Sequence, residues 1–282
     1  MQKRNVLNSP GLLELKKKRR RTALNKILLV LLAFLMIFGC LVYVSRISGL
    51  NIVSIEIADN NITDADAIKA EVQQEISGDY LWFIPKANIL LYPENKIKEL
   101  LSNDFKRLKD INLSIKDNQT LLLNLTERMP LYTWCGNNID TTASAEQKCY
   151  FLDKDGYIYD EAPYFSGDVY FKFYGKADIG TYFYKDVFTQ LAYLKDTMTT
   201  MGLKPVSMFV DDLGDAKVFL ASSATVEPYI AFKIDSDFQN VAENLETALS
   251  TEPLLSNFKN KYASLEYIDL RFGNKVYYKF SK

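Results

Sequence analysis

The sequence predicts an α+β fold: an N-terminal transmembrane helix, a compact β-α-α-β-β unit, then a strand-rich α+β domain with a mostly antiparallel sheet. Three observations predict it. Nineteen consecutive uncharged residues, Ile27 to Ser45, separate a basic block from an acidic one. Beyond them the apolar period changes from two to about 3.6 and back to two. Then short alternating segments rich in Tyr and Phe predominate, a composition that suits half-buried sheet faces. The chain is accordingly expected to divide into a basic cytoplasmic tail (1–26), a transmembrane helix (27–45), the β-α-α-β-β unit (50–128) and the strand-rich domain (129–282).

The apolar run comes first. At 1.5 Å per residue it reaches roughly 28 Å, about the hydrocarbon thickness of a bilayer. It is apolar all round, whereas a soluble helix keeps a polar stripe. Val42-Tyr43-Val44-Ser45-Arg46 offers no small-residue cleavage pattern, so an uncleaved anchor is expected rather than a removed signal. Residues 1–26 hold nine Lys/Arg and one Glu, whereas residues 50–282 hold 24 Lys/Arg and 34 Asp/Glu, a balance of +8 before the span and −10 after it. The cluster Lys16-Lys17-Lys18-Arg19-Arg20-Arg21, with Lys26, places the N-terminus on the cytoplasmic side and some 235 residues outside. The same cluster would also suit nucleic acid or anionic lipid.

The β-α-α-β-β unit follows. Val53, Ile55 and Ile57 alternate with polar residues as in a strand. Thr63 with Asp66 three residues on resembles a capping box, and Ala67, Ala70, Val72 and Ile76 give the next helix its apolar face. In the aromatic stretch before Pro85, Trp82 is expected in the core; the alternative is that Trp82 and Phe83 belong to a membrane-facing belt. A second helix spans about 93–108 on Ile97, Leu100, Leu101 and Phe105, and strands cover 111–116 and 120–127.

The strand-rich region is expected to hold strands near 131–134, 150–159, 169–174, 206–210, 217–221, 229–234 and 267–280, with helices at about 184–201 and 238–250. Asp155-Gly156 marks a tight turn. Outside the span, Cys135 and Cys149 are the only cysteines; a bridge between them would close a loop of about fifteen residues and stabilise by ~3 kcal/mol. The alternative is two unpaired thiols.

Chemistry is bounded by a zero, since the 282 residues include no histidine. That excludes a Ser/His/Asp or Cys/His nucleophilic pair, a His-ligated zinc and a His general base. No cofactor or metal is expected. Asp153-Lys-Asp155-Gly156 begins like a calcium loop but lacks the later ligands, which favours a turn. Asp211-Asp212 with Glu227, or Asp153 with Asp160, could be imagined as a glycosidase pair, though nothing in their spacing singles them out. Glu127-Arg128 reads as an ion pair at a domain junction, worth under ~1 kcal/mol if exposed.

In this order, Val53-Ser-Ile-Glu-Ile57, Leu123-Asn-Leu-Thr-Glu-Arg-Met-Pro130 with Trp134, Phe151-Leu-Asp-Lys-Asp-Gly-Tyr-Ile158 and Tyr267-Ile-Asp-Leu-Arg-Phe-Gly-Asn-Lys-Val-Tyr-Tyr-Lys279 behind a membrane anchor resemble the FtsQ/DivIB family of bacterial cell-division proteins. The resemblance covers essentially the whole chain; the Cys135 to Cys149 segment stands outside the family pattern, and the stretch Lys217 to Ile234 diverges from it. It implies that the β-α-α-β-β unit is a POTRA domain and that the chain is a non-enzymatic divisome scaffold in the cell membrane at the septum. Its implied partners are single-span, coiled-coil proteins of FtsB/DivIC and FtsL type, with no nucleic acid and no small-molecule substrate. Together with the physics of exposed strand edges, it directs attention to Phe272, Val276, Tyr277, Tyr278 and Phe280 as partner-binding residues; the alternative is a central strand with core aromatics. Two other classes of function are an envelope enzyme acting on peptidoglycan through a carboxylate pair and a POTRA-bearing transport or secretion component.

Overall fold

The computed structural model describes residues 10–139, 147–165, 167, 169–222 and 227–281. The chain divides into two compact units, Met1–Thr126 and Glu127–Lys282, so the boundary falls two residues before the expected one.

The first unit opens with α1 (Pro10–Ser45), which is helical through the basic cluster as well as through the apolar run. Lys and Arg are good helix formers, and nothing between Leu12 and Ile27 breaks the helix. Its stretch Glu14–Ser45 is long and apolar enough to cross a membrane, and side chains such as Val30 and Phe34 are exposed, as a lipid-covered surface requires. Two side-chain amides close its C-terminal end: Asn51 Nδ2 at 3.2 Å and Asn88 Nδ2 at 3.1 Å both donate to the Ser45 carbonyl. Asn88 is buried, so α1 is joined to the body of the unit by a fixed contact.

After β1 (Ser54–Ala58), α2 (Ala65–Ile76) starts one residue later than expected, with Asp64 as its cap, accepting from Asp66 N at 2.9 Å. Ile68, Val72 and Ile76 form its buried face, whereas Ala70 is exposed. The aromatic stretch forms a hairpin absent from the expected elements, β2 (Asp79–Tyr80) and β3 (Ile84–Pro85). Trp82 lies at its tip and is 88% exposed, which corrects its expected place in the core. Next come α3 (Glu94–Asp104), β4 (Leu108–Lys116) and β5 (Thr120–Glu127). The sheet order is β1-β5-β4, with β1 parallel to β5. Leu121, Leu123 and Leu125 of β5 share one face and meet Ile97 and Leu101 of α3 in the core.

The second unit contains β6 (Tyr132–Trp134), β7 (Cys149–Leu152), β8 (Ile158–Ala162), β9 (Lys172–Tyr174), α4 (Phe188–Thr200), β10 (Pro205–Val210), β11 (Asp215–Leu220), β12 (Tyr229–Lys233), α5 (Phe238–Ser250), α6 (Leu254–Lys261), β13 (Leu265–Phe272) and β14 (Lys275–Phe280). Nine strands form one sheet, β14-β13-β12-β11-β10-β9-β6-β7-β8. Pairs β6/β9, β9/β10 and β12/β13 are parallel and the other five antiparallel, so the sheet is mostly antiparallel. Phe188, Leu191 and Leu194 of α4 and Val241 and Leu245 of α5 pack in one core with sheet residues such as Phe232. Gly156 ties the Asp155-Gly156 turn to that core: its φ is +80°, and a Cβ there would lie 2.5 Å from Phe188 Cγ. The helix α6 was not expected from sequence; of its residues only Leu254 is among the buried hydrophobics.

Candidate functional site

β14 ends the sheet. Its sequence Lys-Val-Tyr-Tyr-Lys-Phe alternates between an exposed and a half-buried face. Val276, Tyr278 and Phe280 pack against the core, whereas Tyr277 is 50% exposed. Phe272, at the end of β13, is 55% exposed and meets the Tyr277 ring edge-on, with centroids 5.3 Å apart. The five residues singled out for partner binding therefore split, with Phe272 and Tyr277 presenting apolar surface and Val276, Tyr278 and Phe280 holding the strand down from beneath. On its inner side β14 pairs with β13, setting Ile268 opposite Tyr278 and Asp269 opposite Tyr277. Among the described residues no strand pairs with its outer side. An outer row of backbone N–H and C=O groups can accept a further strand, and exposed lysines such as Lys275 and Lys279 are a common device against indiscriminate pairing.

The support under this edge is ionic. Arg271 grips Asp269 through Nε to Oδ1 at 2.9 Å and Nη2 to Oδ2 at 2.6 Å, and its Nη1 reaches Asp215 of β11. Burial works against the Asp269 charge, but hydrogen bonds from the Arg271 side chain and backbone outweigh it and hold this carboxyl below the usual range. The Arg271 guanidinium is raised in turn by its hydrogen bonds to Asp269 and Asp215. The network lies where the β13–β14 register shifts, between Asp269 and Phe272, and fixes the strand end that carries Phe272. At the other end Lys279 bonds Glu266 at 2.6 Å. A groove of about 280 Å³ runs beside β14, lined by Asn244, Thr247, Ala248, Thr251, Val276 and Tyr278 among others.

Cys135 and Cys149 form a disulfide at the ends of the paired strands β6 and β7. Residues 140–146 of the loop between them lie outside the described residues.

Two of the carboxylates considered for catalysis, Asp153 and Asp211, have structural partners. Asp153 is buried and paired with Arg128, and its Oδ1 accepts from Asp155 N at 2.9 Å and Tyr157 N at 3.0 Å. The Arg128 guanidinium covers the Tyr157 ring at 3.7 Å. Arg128 and Asp153 are thus a buried pair, with side chains 8% and 4% exposed. Sequence spacing could not show this, because the partner lies 25 residues away. Asp211 closes a turn, its Oδ1 accepting from Leu213 N and Asp215 N, each at 2.9 Å. Compared with known proteins, the chain matches no family model and no curated protein sequence.

Proposed function

We propose that this chain is a single-span, non-enzymatic scaffold of a bacterial cell-division complex, of FtsQ/DivIB type. Its N-terminus is cytoplasmic and its two folded units extracytoplasmic, the first of them a POTRA-like domain. The observation that carries the reading is the unpaired outer side of β14, flanked by the exposed Phe272 and Tyr277. A segment of another single-span division protein, of FtsB/DivIC or FtsL type, adds to this edge as a strand and uses the two rings as anchors. The apolar helix α1 supports a membrane location, and the basic cluster Lys16 to Arg21 supports the orientation. The engagement of Asp153 and Asp211 in turns leaves the carboxylate-enzyme alternative without a specific observation in its favour.

Depletion in the source cells, with the tagged protein imaged, tests the role. Filamentous cells and a midcell signal are expected, and unaltered division would overturn it. Tyr277→Glu tests the surface: co-purification of the coiled-coil partner is expected to fall at least about tenfold, since a hot-spot aromatic contributes on the order of 2 kcal/mol. Undiminished capture by a normally folded variant would remove β14 as the contact.

A further inference from the structure

The hairpin tip between β2 and β3 is built against the usual preferences of a turn. Phe83 N donates to Tyr80 O at 3.0 Å, and the two central residues, Leu81 and Trp82, have φ of +48° and +67°. Positive φ at both positions is the conformation that Asn-Gly or Asp-Gly normally occupies. The same unit does use suitable residues where it only needs to reverse the chain: Asp117 and Asn118, between β4 and β5, have φ of +51° and +59°. At 81 and 82 two large apolar side chains are held in the unfavourable region, 86% and 88% exposed.

Contacts with α1 show where the tip points. The Phe83 ring meets the Phe38 ring edge-on, centroids 5.8 Å apart. Phe38 lies seven residues before Ser45, about 10 Å back along the helix and inside the uncharged run. Two carbonyls of the tip are bonded by one cation: Arg46 donates from Nε to Phe83 O at 3.0 Å and from Nη2 to Trp82 O at 3.4 Å, and pairs with Asp79 at 2.8 Å. A bilayer that covers Phe38 therefore meets a tip with no charge from Tyr80 to Pro85 and with its Trp82 and Phe83 carbonyls bonded by an arginine at headgroup level. We propose that Leu81, Trp82 and Phe83 form a lipid anchor that enters the leaflet at the Ser45 end of α1. The inference rests on α1 crossing a bilayer and is independent of the division role.

Trp134 is the only other tryptophan and is 8% exposed within its own core, so Trp82 can be observed separately. The full-length chain carrying Trp134→Phe is reconstituted into phosphatidylglycerol vesicles with or without lipid brominated high in the acyl chain. The expected result is emission shifted to the blue of the unfolded chain and loss of about half of it to the brominated lipid, as for an interfacial indole. Absence of quenching would overturn the proposal: with water-like emission the loop stands free, and with blue-shifted emission protein rather than lipid covers it. Should Trp134→Phe fail to fold, the difference between the unsubstituted chain and Trp82→Phe reads the same emission.

Discussion

The β14 edge and the β2–β3 tip both expose aromatic surface beside an arginine, yet they offer different chemistry to a neighbour. At β14 the rings of Phe272 and Tyr277 accompany a row of backbone groups with no strand on their outer side. At the tip, the turn's own hydrogen bond and Arg46 occupy the backbone carbonyls of Tyr80, Trp82 and Phe83, and the exposed side chains of Leu81 and Trp82 are apolar. A partner that brings hydrogen-bonding groups gains at the first surface, and one that brings only hydrocarbon gains at the second. The state of the backbone, more than exposed apolar area, decides which class of neighbour each surface suits.

Substitutions separate the two surfaces, and the largest effect is expected at neither. Arg128→Ala leaves Asp153 buried without its cation and should destabilise the second unit by about 3–5 kcal/mol, read by denaturant unfolding of the full chain in detergent. Its lipid quenching through Trp82 should persist. Asp269→Asn weakens the support beneath β14 and should cost about 1–3 kcal/mol by the same measurement, together with partner capture. Because the Asp269 carboxyl is held below its ordinary value in the folded chain, it contributes stability above the unfolded-state pKa. That contribution is lost as pH falls below about 4 and through the depressed value, so unfolding of the parent chain should be more acid-sensitive than that of Asp269→Asn. Replacing Leu81 by Asn and Trp82 by Gly relaxes the turn and should raise the stability of the first unit by about 1–2 kcal/mol in detergent, while abolishing contact with lipid. Stability and anchoring moving in opposite directions would separate an anchor from a merely structural loop. The smallest effect is expected for Lys279→Val: its ion pair is exposed, so unfolding should not change measurably, but light scattering should reveal edge-to-edge association of the detergent-solubilised chain.

Much of the fold was legible because period and composition change where elements change. Ile27 to Ser45 marked a helix for a bilayer, the helix expected at 238–250 is α5, which Asp237 caps, and Asp155-Gly156 marked its turn. The Cys135–Cys149 bridge followed from there being two cysteines beyond the span. What the sequence hid depended on distant partners or on exceptions to propensity. Lys16 to Arg21 read as a tail and is helix, since charge and helicity are independent properties there. Leu-Trp does not signal a primed turn, so the β2–β3 hairpin was invisible and Trp82 was assigned to the core on hydrophobicity alone. Of the candidate site, the alternation in Lys275–Phe280 was readable, but which face met the core depended on the register with β13.

The two amides on the Ser45 carbonyl carry a mechanical consequence. Asn51 and Asn88 tie the last turn of α1 to the rest of the first unit and resist rotation about that junction. A bilayer thinner or thicker than the apolar run changes the tilt of a helix that spans it. If α1 crosses a bilayer, such a tilt is passed through these two amides to the rest of the first unit, and membrane thickness would act on it as a lever.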